Sequence, residues 1–239
     1  MLKQAQLIEG VAAYKKDSNK LFWSAVSSLL ALAWPYKREN FTFDDTFPLY
    51  EDAIDICLDL SDQCVEKAWN RTSGLINERF DDIDDGEVWL YAFDEEAQKS
   101  FDMAGSHLLE LLAVWISVAV INEWTESYTK VMITRYITNP FLCPEWRGIP
   151  LDTLSWGRGY AKDIPEQLAI IGQGLIVKAA RKAQQTEAEN EGYDYYVRRR
   201  GSDFECDICD SMANIPIPIY IPFDIPHPRC VCFPEYFNE

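Results

Sequence analysis

The chain contains few of the groups that carry enzyme chemistry. Its 239 residues include only two histidines, His107 and His227. It has no Gly-x-Ser-x-Gly nucleophile turn and no phosphate-binding glycine loop, and Gly172-x-Gly174 falls in a helical pattern that favours a packing role. His107 lies one helical turn from Glu110, but a single histidine there is more typical of a core or boundary position. We therefore expect a protein that is not an enzyme.

Basic residues are also scarce. The chain has 22 Lys and Arg against 39 Asp and Glu, which gives a net charge of −17. This balance argues against a broad electrostatic contact with DNA or an anionic membrane. The only dense basic cluster, Arg198 to Arg200, is expected to be a solvated strand end.

No apolar run has the length of a membrane span. The run 111–121 is about half of the 20 residues that a span needs, so it predicts a core helix. Residues 21–33 follow three lysines, but Glu9 and Asp17 precede them, which favours a buried helix over a signal peptide. We expect no transmembrane segment and no membrane partner.

Four of the seven cysteines are concentrated near the C-terminus, where Cys206-x2-Cys209 is followed by His227 and Cys230-x-Cys232. Thiolates and neutral imidazole form tetrahedral zinc sites, and a Cys-x2-Cys turn presents both sulfurs to one ion. A segment this short cannot bury enough apolar surface to order itself, so a structural zinc ion is the expected cofactor. Cys206, Cys209 and Cys230 are the firmest ligands, and either His227 or Cys232 completes the set. The total of seven cysteines is odd, which suits a reducing cytosol better than a secreted disulfide framework.

This cysteine and histidine pattern, with Pro234 close behind it, resembles the C-terminal signature of the phage head morphogenesis family. These proteins are the Mu F-like minor head proteins of tailed bacteriophages. The likeness extends back through a helical run at 156–191 and a strand at 193–200. The family usually has a glycine shortly after the first cysteine pair and an arginine between the last two cysteines. Residues 210–214 and Val231 stand in those places in this chain.

The resemblance implies a structural minor head (capsid) protein that docks near the portal during procapsid assembly. Its partners would be the portal or other head proteins. It would be made in the cytoplasm of the bacterial host and end in the virion head, close to packaged DNA but without strong nucleic-acid binding. In a mature virion exposed to air, Cys206–Cys230 or Cys209–Cys232 disulfides are an alternative to zinc. The alternative function is a phage-encoded enzyme or toxin, nuclease-like, that carries this type of C-terminal module. A nucleic-acid-binding zinc module is disfavoured by the acidic charge.

The periodicity predicts a mainly α fold. We expect an N-terminal helical domain at 1–139, an irregular linker at 140–160 and a head-morphogenesis-like region at 161–239. Within the last region, residues 193–239 would form a small β-containing Cys/His module similar to a zinc knuckle. One long helix is expected to run from Glu95 to Tyr136.

The C-terminal region is expected to begin with a helix that Asp163 caps and Gly192 closes, with a polar, exposed end from Arg181 onwards. A strand at 193–198 should follow. Residues 215–222 predict an edge strand, because Pro216, Pro218 and Pro222 share one parity and place their missing N–H groups on a single edge.

Overall fold

The computed structural model describes residues 4–80, 82–138, 164–201, 206–225, 230 and 232–238. The described chain is mainly helical and ends in a small three-stranded sheet with a cysteine cluster, which confirms the predicted fold class. The predicted linker at 140–160, the cap at Asp163 and the candidate ligand His227 lie outside the described residues.

Long helices make up most of the described chain, and the strands come near its end. The helices are α1 (Gln4–Ala33), α2 (Tyr50–Asn77), α3 (Asp85–Ala92), α4 (Glu95–Ile121), α5 (Glu126–Thr138), α6 (Ile164–Asn190) and α7 (Asp207–Met212). A short 3-10 helix, Trp34–Tyr36, follows α1 where the chain reaches Pro35. The strands are β1 (Tyr195–Arg199), β2 (Pro216–Pro218) and β3 (Phe233–Phe237).

The chain divides into two compact units that alternate along the sequence. Unit 1 consists of Met1–Asp17, Val65–Gln98 and Ala169–Glu239, and unit 2 consists of Ser18–Cys64 and Lys99–Leu168. The sequence predicted domains that succeed one another, whereas each unit in the structure is assembled from separate stretches of chain.

Unit 2 is a helical unit whose core comes mainly from α4 and the second half of α1. The buried apolar side chains recur at three- and four-residue spacing, as an amphipathic helix requires. They include Phe22, Val26, Leu29, Leu108, Leu112, Trp115 and Ile116. By length and composition the helical stretch Ala97–Ile121 could cross a membrane. However, 56% of its most apolar 18-residue stretch is buried inside the protein, as in a core helix.

The long helix predicted from Glu95 to Tyr136 is interrupted, so that prediction was wrong. Glu123 has a positive φ of 54°, and the N–H groups of Glu123 and Trp124 donate to Val120 and Ala119. This is the Schellman pattern that ends α4. Thr125 then caps α5, because its hydroxyl accepts from the Tyr128 N–H at 3.2 Å.

Unit 1 brings α6 against the first half of α1. Gly172 of α6 is buried against the ring of Tyr14, and a Cβ at this position would overlap that ring. At Gly174, two residues on, a Cβ would meet no atom within 4 Å. The sequence prediction of a packing role is therefore confirmed for Gly172. At the far end of α6, Gly192 has a φ of 81° and its N–H donates to Glu189, which confirms the predicted C-terminal glycine cap.

The C-terminal sheet has the order β2-β1-β3, with both pairs antiparallel. Tyr196 of β1 pairs with Ile217 of β2, and the Ile219 N–H donates to the Asp194 carbonyl. Hydrogen-bonded positions alternate along an antiparallel strand. The backbone N–H and C=O groups of Ile217 and Ile219 therefore face β1, while the backbone nitrogens of Pro216 and Pro218 face the outer edge. The edge strand predicted at 215–222 is confirmed over Pro216–Pro218 only, and residues 219–221 form a turn instead.

We expect Gly172→Ala to destabilise the protein by about 1–3 kcal/mol, because the added methyl group must displace the Tyr14 ring in a packed interior. Gly174→Ala is the matched control on the same helix, and it should be neutral or stabilise by up to about 1 kcal/mol through helix propensity. Urea unfolding followed by circular dichroism measures both changes. Equal effects of the two substitutions would contradict the packing argument.

Candidate metal centre

Three buried thiols converge in the C-terminal module, residues 195–238. The Sγ atoms of Cys209, Cys230 and Cys232 all lie within 4.8 Å of one another, and the three residues are 2–4% exposed. The Sγ atoms of Cys209 and Cys230 are 3.8 Å apart. Four sulfurs placed about 2.3 Å from one central ion define a tetrahedron with edges of about 3.8 Å. The buried cluster therefore has the spacing needed to hold a metal ion.

Cys206 stands beside this group at the start of α7. Its backbone is extended, and its Sγ accepts the Cys209 N–H at 3.5 Å. Its side chain also interacts with that of Cys209. The Cys-x2-Cys spacing thus places the first sulfur at the cap position of a helical turn and the second inside the turn, but Cys206 is not among the three cysteines whose sulfurs all lie within 4.8 Å of one another.

The other two cysteines come from the segment that leads into β3. Cys230 and Cys232 immediately precede Phe233, which pairs with Arg199 of the central strand. Pairing with β1 fixes where this segment runs, and α7 faces it from the other side of the cluster. Within the described residues the structure contains no disulfide. The 3.8 Å separation of Cys209 and Cys230 is nearly twice the S–S length of about 2.0 Å.

An apolar layer surrounds the sulfurs. Tyr196 and Phe223 are buried with Cys209, Cys230 and Cys232 in one cluster. The partly buried side chains that pack against it are Cys206, Ile217, Ile219, Ile225 and Tyr236. Such a layer keeps water away from the sulfurs, which suits a closed structural site better than a catalytic site with an open position.

The surroundings have opposite effects on the acidity of the thiols. The N–H of Cys209 donates to the Cys206 sulfur and lowers the pKa of Cys206, because this bond favours the thiolate. Burial raises the pKa of Cys209 and of Cys230. Two buried thiols with raised pKa values remain protonated near neutral pH, and a bound cation is what makes their thiolates stable.

Polar side chains at the end of α6 hold the module in place. The exposed end predicted from Arg181 to Glu191 was wrong for Arg181, Gln184 and Gln185, which are buried, and right for residues 189–191, which are exposed. The Arg181 Nε donates to the Cys232 carbonyl at 3.1 Å. Gln185 donates through Nε2 to the carbonyls of Ile219 and Ile221 and accepts the Phe223 N–H at 3.0 Å. These groups satisfy backbone atoms in a segment that lacks regular pairing.

The basic cluster at 198–200 is not a free solvated patch. Arg198 is buried, with its guanidinium 4.1 Å from the Phe223 ring centroid and its Nη2 donating to the Asp224 carbonyl at 2.6 Å. Arg199 pairs with Glu235, and Arg200 pairs with Asp210 of α7. The predicted solvated strand end is thus wrong for Arg198, and Arg199 and Arg200 are engaged within the module.

The other candidate residues lie in unit 2. Burial lowers the pKa of His107, while its hydrogen bond to Gln167 and the charge of Glu110 oppose that shift. Glu110 is exposed and lines a groove of about 590 Å³. The groove is otherwise lined by apolar, hydroxyl and amide side chains, among them Phe43, Ile54, Leu109 and Val114. The groove lining as described contains no histidine or cysteine nucleophile.

The residues missed by sequence reasoning are Arg181, Gln185 and Arg198. A signal for the first two was present, because small alanines flank them at positions 179, 180, 183 and 188, all of which are buried. Small residues at helical spacing continue the inner stripe of α6 beyond its large apolar residues.

Comparison with protein-family profiles, curated proteins and solved structures finds no match for this chain.

We expect Gln185→Ala to destabilise the protein by about 2 kcal/mol, because each buried polar group left unpaired costs about 1–3 kcal/mol. Gln173→Ala on the same helix is the control, since that half-buried side chain makes no hydrogen bond within the described residues. Chemical unfolding monitored by tyrosine and tryptophan fluorescence measures the difference. A Gln185 variant as stable as the control would contradict this anchoring role.

Proposed function

We propose that this chain is a structural minor head protein of a tailed phage, in which a zinc ion bound by cysteine thiolates fixes a docking module near the portal. The observation that carries the proposal is the convergence of Cys209, Cys230 and Cys232 at metal-ligand spacing, with Cys206 beside them. These are the residues through which the sequence resembles the phage head morphogenesis family. The phage assignment rests on that resemblance.

Zinc fits the donor set. Thiolates are soft ligands that favour zinc among the common divalent ions, and sulfurs 3.8 Å apart match a tetrahedral arrangement. Cys206, Cys209, Cys230 and Cys232 can fill four positions with sulfur, so Cys232 is our choice over His227 for the fourth ligand. On binding, the four thiols release their protons to solvent and the zinc–thiolate group carries a net charge of minus two.

A docking role agrees with the surface of the module. Among the residues that the structure describes, four of the twelve exposed large apolar side chains belong to it, namely Ile208, Ile215, Tyr220 and Ile221. Tyr220 is the most exposed of the twelve, at 77%. Exposed apolar side chains around a rigid core are typical of surfaces that bind another protein. The partner that we propose is the portal or another head protein.

The zinc site predicts about one equivalent of metal per chain after purification under reducing conditions. Cys209→Ser should lose the metal and unfold the module, because a short segment without its staple cannot remain ordered. Cys57→Ser is the control, since Cys57 lies in unit 2, where burial raises its pKa to about 12 and leaves the thiol unreactive.

Elemental analysis and cobalt absorption spectra measure metal content and thiolate coordination. A wild-type protein without metal, or equal metal loss in both variants, would contradict the site.

The docking proposal predicts that the chain sediments with portal protein or procapsids when it is co-expressed with the portal and capsid proteins of its own genome. Tyr220→Asp should lose this association and keep its zinc, because the added charge lies on the exposed face and not at the sulfurs. Tyr128→Asp, at an exposed tyrosine of α5, should still associate. A wild-type chain that binds no head component would refute the head-protein function and leave the zinc site standing.

A further inference from the structure

Arg181 is a buried cation with neutral hydrogen-bond partners. Its residue is 1% exposed, and its three nitrogens donate to the Cys232 carbonyl and to the side-chain oxygens of Gln184 and Gln4, the last two at 2.6 Å. Burial lowers the pKa of Arg181 to about 10, which still leaves the guanidinium charged at neutral pH. A buried charge is costly unless an opposite charge lies close to it.

No carboxylate supplies that charge within the described part of the chain. The ion pairs found there join other residues, and none includes Arg181. The groups whose charge favours the protonated guanidinium are Tyr236, Cys230 and Cys232. Burial raises the pKa of Tyr236, so that phenol stays neutral. Cys230 and Cys232 remain, and the Arg181 side chain binds the main chain of Cys232 directly, at 3.1 Å.

We propose that Arg181 is the counter-cation of the metal–thiolate centre, and that it tunes the site towards a divalent ion held entirely by thiolates. This inference rests on the zinc site proposed above. With four cysteine ligands the centre has two negative charges, and Arg181 offsets one of them from the helix side. Arg200, another arginine close to the sulfurs within the described residues, is already paired with Asp210. Arg181 therefore links α6 to the metal through charge and through the Cys232 carbonyl.

The charge of the proposed metal–thiolate group predicts whether removal of Arg181 affects the metal-loaded or the metal-free protein more. In the metal-loaded protein the metal–thiolate group would place negative charge next to the Cys232 carbonyl that Arg181 binds, and the burial of the guanidinium would be compensated. Without the metal this group is absent, and the same burial is uncompensated. Removing the charge should therefore weaken the loaded state more than the metal-free state, whereas a side chain that only fills space would affect both states alike.

The test compares Arg181→Met with Arg181→Lys and with Arg199→Met in the full chain. Zinc affinity is measured by competition with a chromophoric chelator, and unfolding by urea is followed with and without zinc under reducing conditions. Arg181→Met should lower zinc affinity about 10- to 100-fold, the range for second-layer partners of metal ligands. Arg181→Lys should retain most of the affinity. Arg199→Met is the control, because Arg199 is exposed and pairs with Glu235, and it should leave the affinity unchanged.

The outcomes separate this inference from the zinc site. If Arg181→Met binds zinc as tightly as wild type and loses equal stability with and without metal, then Arg181 is a packing residue and the inference is wrong while the site stands. If the wild-type chain binds no zinc at all, the site itself is wrong and the inference falls with it. A selective loss of affinity in Arg181→Met supports both.

Discussion

The C-terminal module depends on hydrogen bonds that reach it from α6. The described segment around β2 has few backbone partners of its own, because β2 has only three residues and its prolines lack N–H groups. Gln185 supplies the missing bonds for Ile219, Ile221 and Phe223, and Arg181 binds the carbonyl of Cys232. The helix thereby positions the loop after β2 and the segment before β3, and the sulfurs meet because these two attachments hold.

The proposed metal ion would act from the opposite side of the same segments. Cys206 and Cys209 bring α7, while Cys230 and Cys232 bring the start of β3. Helix and ion are then linked through Arg181, which touches the carbonyl of one proposed ligand. A module held in this way presents its exposed isoleucines and Tyr220 on a fixed frame, which suits recognition of a partner with little ordering cost.

The parts of the fold that follow from local chemistry could be predicted. Proline parity predicted the edge strand at Pro216–Pro218, and Gly192 predicted the end of α6. Cysteine spacing predicted a convergence that the structure shows for Cys209, Cys230 and Cys232 but not for Cys206. The burial of Arg198 could not be predicted, since it depends on which distant segment covers it, whereas the buried alanines beside Arg181 and Gln185 were a signal for the burial of those two residues. The break after α4 was missed because Glu123 adopts a left-handed backbone that favours glycine or asparagine. β3 was not predicted either, because Pro234 within five residues argues against a strand.

The outward-facing prolines of β2 affect how the sheet can meet other chains. An open sheet edge normally offers alternating donors and acceptors, and a strand from another chain can add to it. Pro216 and Pro218 remove the donors from this edge while Ile217 keeps its own bonds to β1. Neighbouring copies therefore cannot add a strand at the β2 edge, and this side of the sheet is protected against fibrous association.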